Sequence, residues 1–465
     1  MALKKNEVIE EIVKRICDMI EKGLTGPETA AAGGNKENFE IAKTRADVLE
    51  KYRESDDEEY RLYISDLLNS LLTPSGDYVA SDEMPYYIST PDRAMVLERV
   101  FGMYRGLGLV DTLLMNEKIT ELMINGPDHI FVEMNGRVQQ LDERFCSDAE
   151  CTEEERIRRG SVQLRKIIRR IVDICGRDIS DANPIVDARL KDGSRVNVVL
   201  HPIALGGDTV TIRKFSKKPM SIEKLIEYKS ITQDIADKLQ LLVYAKYNIF
   251  ISGGTGSGKT TFLNALSNYI PRDERVITIE DSAELQITGV DNLVSLETKQ
   301  ANAEGKGAIS IKDLIKSSLR MRPERIVVGE VRGEEALDML QAMNTGHDGS
   351  LSTGHANSAK DMLTRLETMV LQGASGLPLD AVRRQIGSAL DIIVHLSRMR
   401  DHSRKVVEIT EVLGYEKGEI LLNPLYVFEE DENTTLEKVS GSLVRTKNKM
   451  VNTEKLIQAG IYQEI

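Results

Sequence analysis

Residues 248–263 read NIFISGGTGSGKTTFL, and this stretch decides the fold of the second half of the chain. The apolar run IFIS has the character of a short strand, and TTFLNALSNYI after the glycines has the pattern of a helix. Between them lies the complete spacing G-x-x-x-x-G-K-[ST], from Gly253 to Thr260. A strand, a glycine-rich turn and a helix in this order predict a P-loop, whereas an incidental glycine-rich turn would lack the flanking elements.

The residues of this loop have separate expected roles in holding ATP. Glycines let backbone N–H groups turn toward phosphate oxygens, and the helix N-terminus adds a partial positive charge. We expect Lys259 to reach the β- and γ-phosphates and the Thr260 hydroxyl to bind Mg²⁺. The predicted nucleotide-binding residues are Gly253, Gly254, Thr255, Gly256, Ser257, Gly258, Lys259, Thr260 and Thr261.

Strand and helix patterns alternate beyond the P-loop, for example in RVITIED at 275–281 and RIVVGEV at 325–331. This alternation predicts a parallel sheet with crossover helices, and so an α/β P-loop domain over 221–430. Upstream, an Asn-Gly pair at 135–136 and an Asp-Gly pair at 192–193 lie between alternating strands and predict β-hairpins. We therefore expect an α+β domain over 106–220.

The two ends of the chain differ from these domains. Residues 1–105 predict a helical N-terminal region, with a flexible linker near 23–38 where glycine and alanine dominate. The charge run EKYRESDDEEYR at 50–61 is typical of a solvated helix face. Residues 431–465 predict a charged C-terminal tail.

Composition limits the classes of partner. A formal net charge of −13 argues against a nucleic-acid groove as the main surface, because such grooves depend on clustered lysines and arginines. The chain contains no apolar run long enough to span a membrane and no signal-peptide core, so a cytoplasmic location is expected. The four cysteines form no C-x-x-C pair, and no structural zinc is expected.

Carboxylates that end the apolar strands are the candidate catalytic groups. Glu330 follows the strand RIVV, and ligands in parallel sheets collect at the carboxyl ends of strands. It is expected to orient and polarise the attacking water. Glu280 and Asp281 end a second strand, and Glu284 follows them. For these three residues, metal or water positioning and a structural role as a cap or salt bridge both stay open.

Two histidines, His347 and His355, lie in the loop sequence TGHDGSLSTGHANSA. The density of glycine, serine and threonine around them suits a phosphate-sensing loop. Plain loop packing is the alternative for both.

Four segments in a fixed order resemble the secretion-ATPase superfamily, which drives type II and type IV secretion and the assembly of type IV pili. They are GGTGSGKTT at 253–261, VITIEDSAEL at 276–285, the run from RPERIVVGEV to HANSA at 322–359, and LDIIVHLSRMRDHSRKVVEITEV at 390–412. Within the superfamily the chain looks most like the CpaF-type ATPases of tight-adherence pili. That closer likeness lies in 106–138 and 197–216.

The resemblance implies a hexameric ring of subunits, each with a PAS-like or α+β domain joined to a RecA-like motor domain. It implies that Glu330 is the catalytic glutamate and that His347 and His355 form a histidine box. It also implies that Glu280, Asp281 and Glu284 form an acidic box, whose first carboxylate helps hold metal and water. It further implies that arginines before the motor domain reach the phosphates. These candidates are Arg189, Arg195 and Arg213, for which an exposed strand charge is the alternative.

The expected function is thus a mechanochemical ATPase of a pilus or secretion machine, with ATP and Mg²⁺ as cofactors. As a peripheral protein at the inner face of the cytoplasmic membrane, it would attach only through partners such as an inner-membrane platform protein. A RecA-like DNA translocase is the alternative enzyme, and the acidic balance of the chain disfavours it. A module that binds ATP without turnover is disfavoured by the carboxylate of Glu330.

Overall fold

The structure is a computed structural model that divides into two compact units, Met1–Phe215 and Ser216–Ile465. The residues it describes are 2–21, 57–79, 85–134, 136–146, 151–215, 219–299, 301, 306–374 and 376–465. The predicted linker near 23–38 lies outside them. So does most of the charge run at 50–61, of which 57–61 is described as helix.

The first unit begins with helices that share a core of their own. Its elements are α1 Ala2–Glu21, α2 Asp57–Leu71, β1 Asp77–Tyr78, β2 Tyr86–Tyr87 and α3 Thr90–Tyr104. Ile9, Ile12 and Ile16 recur at helical spacing on α1 and pack with Leu67 and Val100 of the other two helices. The described residues of 1–105 are thus mainly helical, with β1 and β2 forming a two-stranded antiparallel sheet.

An antiparallel sheet and two helices form the rest of the first unit. Its elements are α4 Leu109–Met115, β3 Ile119–Asn125, β4 Ile130–Met134, β5 Arg137–Gln140, α5 Glu153–Ile174, β6 Ile185–Arg189, β7 Arg195–Val199 and β8 Thr209–Arg213. The strand order is β5-β4-β3-β8-β7-β6, with every neighbour antiparallel. Both predicted hairpins are confirmed, because Met134 pairs with Arg137 and Arg189 pairs with Arg195.

The second unit contains the P-loop. Its helices are α6 Ile222–Glu227, α7 Gln233–Tyr244, α8 Lys259–Ser267, α9 Ile311–Ser318, α10 Glu335–Asn344, α11 Ala359–Gly373, α12 Leu379–Ala389 and α13 Glu454–Gln458. Its strands are β9 Ile249–Gly253, β10 Arg275–Glu280, β11 Asn292–Glu297, β12 Arg325–Val328, β13 Leu351–His355, β14 Ile392–Arg398, β15 Arg404–Glu416, β16 Glu419–Glu430 and β17 Gly441–Arg445.

These strands make one sheet in the order β11-β10-β12-β13-β9-β14-β15-β16-β17. The pairs from β11 to β14 are parallel, and β15, β16 and β17 add an antiparallel extension. Both faces of the parallel part are buried: Ile249 and Ile251 of β9 pack into one core, and Phe250 between them packs into the other. This confirms the predicted α/β fold and explains why β9 reads as a continuous apolar run.

The predicted separate tail at 431–465 is wrong. β17 pairs with β16 in the large sheet, and Leu456 and Ile465 lie in the same core as Ile249. The segment reads as a tail because most of its charged side chains are exposed, while a few apolar positions anchor it.

Candidate active site

The P-loop leaves the sheet at the end of β9 and ends where α8 begins at Lys259. Gly256 and Gly258 have φ values of +71° and +92°, the left-handed region in which a side chain is strained. At Gly253 a Cβ atom would lie 2.6 Å from the Ser257 hydroxyl, so the loop closes tightly on its own first residue. The motif glycines are therefore explained by backbone conformation and close approach.

Lys259 is held in a fixed position at the start of α8. Its side chain is buried, and its ammonium group donates a hydrogen bond to the Gly254 carbonyl at 2.9 Å. The same nitrogen lies 3.3 Å from Nδ1 of His355. Burial lowers the pKa of Lys259, and the negative charge of Glu330 opposes that shift. The cation is thus placed and partly desolvated, which strengthens its attraction for phosphate oxygens.

Three strands that are neighbours in the sheet bring the central residues together. The order β12-β13-β9 places Glu330 just after β12, His355 at the end of β13 and the P-loop after β9, all at the carboxyl edge. Nε2 of His355 lies 2.9 Å from Oε1 of Glu330. Arg332 donates a hydrogen bond to the other carboxylate oxygen at 2.8 Å. The result is a continuous chain from Lys259 through His355 and Glu330 to Arg332.

Glu330 carries the features of a water-directing carboxylate. Burial acts to raise its pKa, but the hydrogen bond and charge of Arg332, with His355 and Lys259, hold that pKa below the ordinary value. It is therefore ionised at neutral pH. Its Oε1 atom is buried, and the N–H at Nε2 of His355, although only 2.9 Å away, does not point at it along the line of a hydrogen bond. A buried acceptor oxygen in this condition suits a water molecule as its partner.

His355, the histidine in this series of contacts, is neutral. Burial lowers the pKa of His355, and the charge of Lys259 lowers it further while Glu330 opposes both. Because an ammonium group only donates, Nδ1 of His355 accepts from Lys259, and the ring proton belongs on Nε2, on the side of Glu330. His355 therefore links the phosphate-binding lysine to the catalytic candidate.

His347 does not join this site. It lies before β13, at the end opposite His355, and its Nδ1 is 3.2 Å from the Ala342 carbonyl. Phosphate sensing by His347 is therefore wrong, and packing of its loop accounts for it. The two histidines looked equivalent in sequence because the short strand between them could not be recognised within a glycine-rich run.

Glu280 is buried at the end of β10, and its carboxylate accepts backbone N–H groups of Glu284 and Leu285 at 2.9 and 3.1 Å. Burial raises the pKa of Glu280 to about 7, against the lowering effect of those hydrogen bonds. A Cβ atom at Gly329 would lie 2.8 Å from Cγ of Glu280. The absence of a side chain at Gly329 thus makes room for Glu280 on the neighbouring strand. The capping interpretation of Glu280 has direct geometric support.

Asp281 follows on the loop and is partly exposed, with Oδ2 4.0 Å from Nη1 of Arg332. Among the described residues, no group of three or more histidine, cysteine, aspartate or glutamate side chains is arranged to hold a metal ion by itself. A metal at this edge would therefore depend on ligands beyond such a cluster.

A row of arginines lies in the first unit. Arg195 of β7 is paired directly with Arg189 of β6 on one side and Arg213 of β8 on the other, and Arg213 also pairs with Glu121 of β3. Like charges directly opposite one another destabilise a sheet. The sequence singled out these three arginines separately, and the register of the sheet places them side by side.

Other cations near the P-loop were missed from the sequence. Arg365 on α11 lines a cavity of about 340 Å³ together with Gly254, Thr255 and His355. Arg404, at the start of β15, donates a hydrogen bond to the Gly256 carbonyl at 2.9 Å. Arg404 lies in the resemblance segment 390–412 and Arg365 outside the four segments, but neither was assigned a role from the sequence, because only the packing of the sheet brings them to the loop.

A P-loop lysine beside a buried, ionised glutamate at the carboxyl edge of a RecA-like sheet defines a P-loop ATPase. The family model described as type II/IV secretion system protein matches residues 104–450. The chain belongs to this family of secretion ATPases, whose activity powers secretion or pilus assembly. Within the described residues, no helix is long and apolar enough to cross a membrane.

Two relatives are described as a conjugal transfer protein and a type IV secretion protein. A putative conjugal transfer protein of Mycobacterium tuberculosis is 32% identical over 68% of this chain and 86% of its own length. The type IV secretion system protein PtlH of Bordetella pertussis is 33% identical over 64% of this chain and 91% of its own length. Among solved structures, the VirB11 ATPase of Brucella suis is 29% identical over 65% of this chain and 95% of that chain, with a TM-score of 0.35.

Proposed function

We propose that the chain hydrolyses ATP at the P-loop, with Glu330 directing the attacking water. The observation that carries this is the chain of contacts Lys259–His355–Glu330, which ends in a buried carboxylate oxygen without an aligned donor. Lys259 binds the β- and γ-phosphates, and Glu330 accepts a hydrogen bond from the water that attacks the γ-phosphorus. His355 holds the side chains of Lys259 and Glu330 in position.

The residues at this edge fit a bound Mg²⁺ with few protein ligands. Mg²⁺ prefers oxygen ligands and usually keeps several waters beside substrate phosphates. The Thr260 hydroxyl, in the first turn of α8, would supply one ligand, and Asp281 is exposed enough to act through water. Glu280 would act through the loop that it caps, because its carboxylate already accepts backbone N–H groups. The ion would neutralise charge on the phosphate oxygens during transfer.

We further propose that the arginine row of β6, β7 and β8 supplies cations to the transition state. The register makes the three residues direct neighbours across β6, β7 and β8, and a row of cationic side chains suits a phosphate as ligand. In a closed homohexamer, every nucleotide site would face the same surface of the adjacent subunit, because one heterologous contact is repeated around the ring. ATP and Mg²⁺ are expected to promote that assembly.

The proposed machine is a tight-adherence pilus of the CpaF type, or a related secretion system, with a platform protein of the cytoplasmic membrane as partner. The support is the resemblance of 106–138 and 197–216 to CpaF-type ATPases, together with the type IV secretion and conjugal transfer descriptions of the relatives. Attachment to the inner face of that membrane would occur through the partner.

The experiment is a comparison of Glu330→Gln with the matched control Glu334→Gln. The first substitution removes the acceptor charge beside the phosphates, so ATP binding is kept while turnover falls by roughly 10²-fold or more. Glu334 is exposed and pairs with Lys312 at the surface, so its variant is expected to hydrolyse ATP at the wild-type rate. Wild-type turnover by Glu330→Gln would move the water-directing role to Glu280.

A further inference from the structure

The turn between β14 and β15 lies against the P-loop on the side opposite His355. β14 is the other neighbour of β9 in the sheet, and Leu396 pairs with Gly253. Arg398 and Arg404, on the two sides of the turn, face each other in the antiparallel register. The stem of Arg404 lies close over Gly258, where a Cβ atom would be 3.3 Å from its Cδ.

The contact between the turn and the loop is a specific hydrogen bond. Nε of Arg404 donates to the Gly256 carbonyl at 2.9 Å. Gly256 is one of the two left-handed glycines of the loop, and its conformation determines where the adjoining N–H groups point. A bond to this carbonyl therefore restricts the conformation of the loop. It does so from outside the nucleotide pocket.

The turn that carries Arg404 is itself tightly held. Asp401 accepts hydrogen bonds from the backbone N–H and hydroxyl of Ser403 at 2.9 and 2.6 Å, and its second oxygen accepts the Val439 N–H at 2.8 Å. Arg400 forms a two-bond ion pair with Glu430, both bonds 2.7 Å long. The segment 430–440, which runs from the last residue of β16 to the start of β17, thus supports the turn through two independent contacts.

We propose that Arg404 is a positioning residue that pre-shapes the P-loop for ATP, and that the segment 430–440 sets its position through Asp401. This inference rests on the proposed function, since it assumes that ATP binds the P-loop. It gives the C-terminal part of the chain a role in nucleotide affinity. Since Arg404 acts on the loop before nucleotide arrives, its effect falls on binding rather than on the chemical step.

The test is ATP affinity and turnover of Arg404→Ala, measured on the full chain. We expect the dissociation constant for ATP to rise by about threefold to tenfold, the size of one exposed charge-assisted hydrogen bond, while turnover at saturating ATP stays within about twofold. The melting temperature without nucleotide should not move, because Arg404 is exposed. Arg404→Lys, which keeps a donor, should recover part of the affinity.

Two comparisons separate this role from a general effect of charge. Arg398→Ala removes a neighbouring cation, whose Nη1 would lie 3.8 Å from a Cβ atom at Gly256 and for which the described residues give no hydrogen bond to the loop. Arg272→Ala removes a surface cation paired with Asp291. If either weakens ATP binding as much as Arg404→Ala, the positioning role is overturned. Unchanged affinity in Arg404→Ala overturns it as well. Lys259→Ala separates failure of the Arg404 role from failure of the proposed function. If Lys259→Ala loses ATP binding, the P-loop remains the nucleotide site even when Arg404→Ala has no effect.

The support from Asp401 is tested by a double-mutant cycle. If Asp401 acts through Arg404, the single variant Asp401→Ala weakens ATP binding. The double variant then binds ATP no more weakly than Arg404→Ala. Additive losses of affinity would overturn that part of the proposal. The melting temperature of each variant without nucleotide is measured alongside, so that a loss of folding is recognised and not counted as a loss of affinity.

Discussion

Glu280→Gln is expected to make the nucleotide-free protein more stable at alkaline pH. The carboxylate of Glu280 is buried and has a pKa of about 7, because burial raises it more than the two backbone hydrogen bonds lower it. The ordinary value is 4.5. The folded state thus holds the proton more tightly than the unfolded chain, so the stabilising contribution is full below the ordinary pKa and is lost as pH rises through about 7.

The size of the effect follows from the difference between the two pKa values. Each pKa unit corresponds to about 1.4 kcal/mol, so ionising Glu280 costs roughly 3 kcal/mol of unfolding free energy at high pH. A glutamine has no proton to lose. The stability of Glu280→Gln relative to wild type should therefore increase by about 2 to 3 kcal/mol between about pH 5 and pH 8. For a domain of this size that is about 5 to 10 °C in melting temperature.

Thermal unfolding of both proteins without nucleotide, at the two pH values, measures this difference. Glu227→Gln is the matched control, because Glu227 is exposed at the end of α6 and its variant is expected to melt at the wild-type temperature. A melting-temperature difference between Glu280→Gln and wild type that is the same at both pH values would refute the reasoning. It would mean that Glu280 ionises with an ordinary pKa despite its burial.

Two further predictions concern the arginine row and assembly. Arg195→Ala or Arg213→Ala should lower turnover by at least roughly tenfold while ATP affinity stays within a few-fold, because the contact matters most in the transition state. Steady-state kinetics and calorimetry measure the two quantities, and wild-type turnover in both variants would shift the role to Arg189 or Arg332. ATP with Mg²⁺ should convert the protein to a homohexamer in light scattering, whereas monomers at saturating nucleotide would count against the ring.

The sequence predicted those features that depend on residues close together in the chain. The P-loop is one such feature, since one continuous sequence segment specifies the strand, the left-handed glycines and the start of α8. Glu330 is another, because an apolar strand followed by a carboxylate places that group at the ligand-binding edge of a parallel sheet. The two predicted hairpins of the first unit followed from their turn residues and from the alternating strand patterns on either side.

Features that depend on packing between distant segments were not predictable in the same way. The link from Lys259 to His355 joins the start of α8 to the end of β13, and β13 lies beside the P-loop strand β9 only through the order of the sheet. The hydrogen bond from Arg404 to Gly256 joins residues far apart in the chain, and no local pattern marks either one for it. The burial of Leu456 and Ile465 in the core was not predicted from the sequence, because charged residues dominate the composition around them.

The account depends most on the nucleotide site itself, and calorimetric titration of ATP with Mg²⁺ into wild type and Lys259→Ala tests it most directly. Lys259 is the buried cation at the start of α8, held by the Gly254 carbonyl and next to His355. Its removal eliminates the positive charge nearest the β- and γ-phosphates, so ATP binding should be abolished in the variant and saturable in wild type. An ATP affinity in Lys259→Ala equal to that of wild type would contradict the assignment of this loop as the nucleotide site.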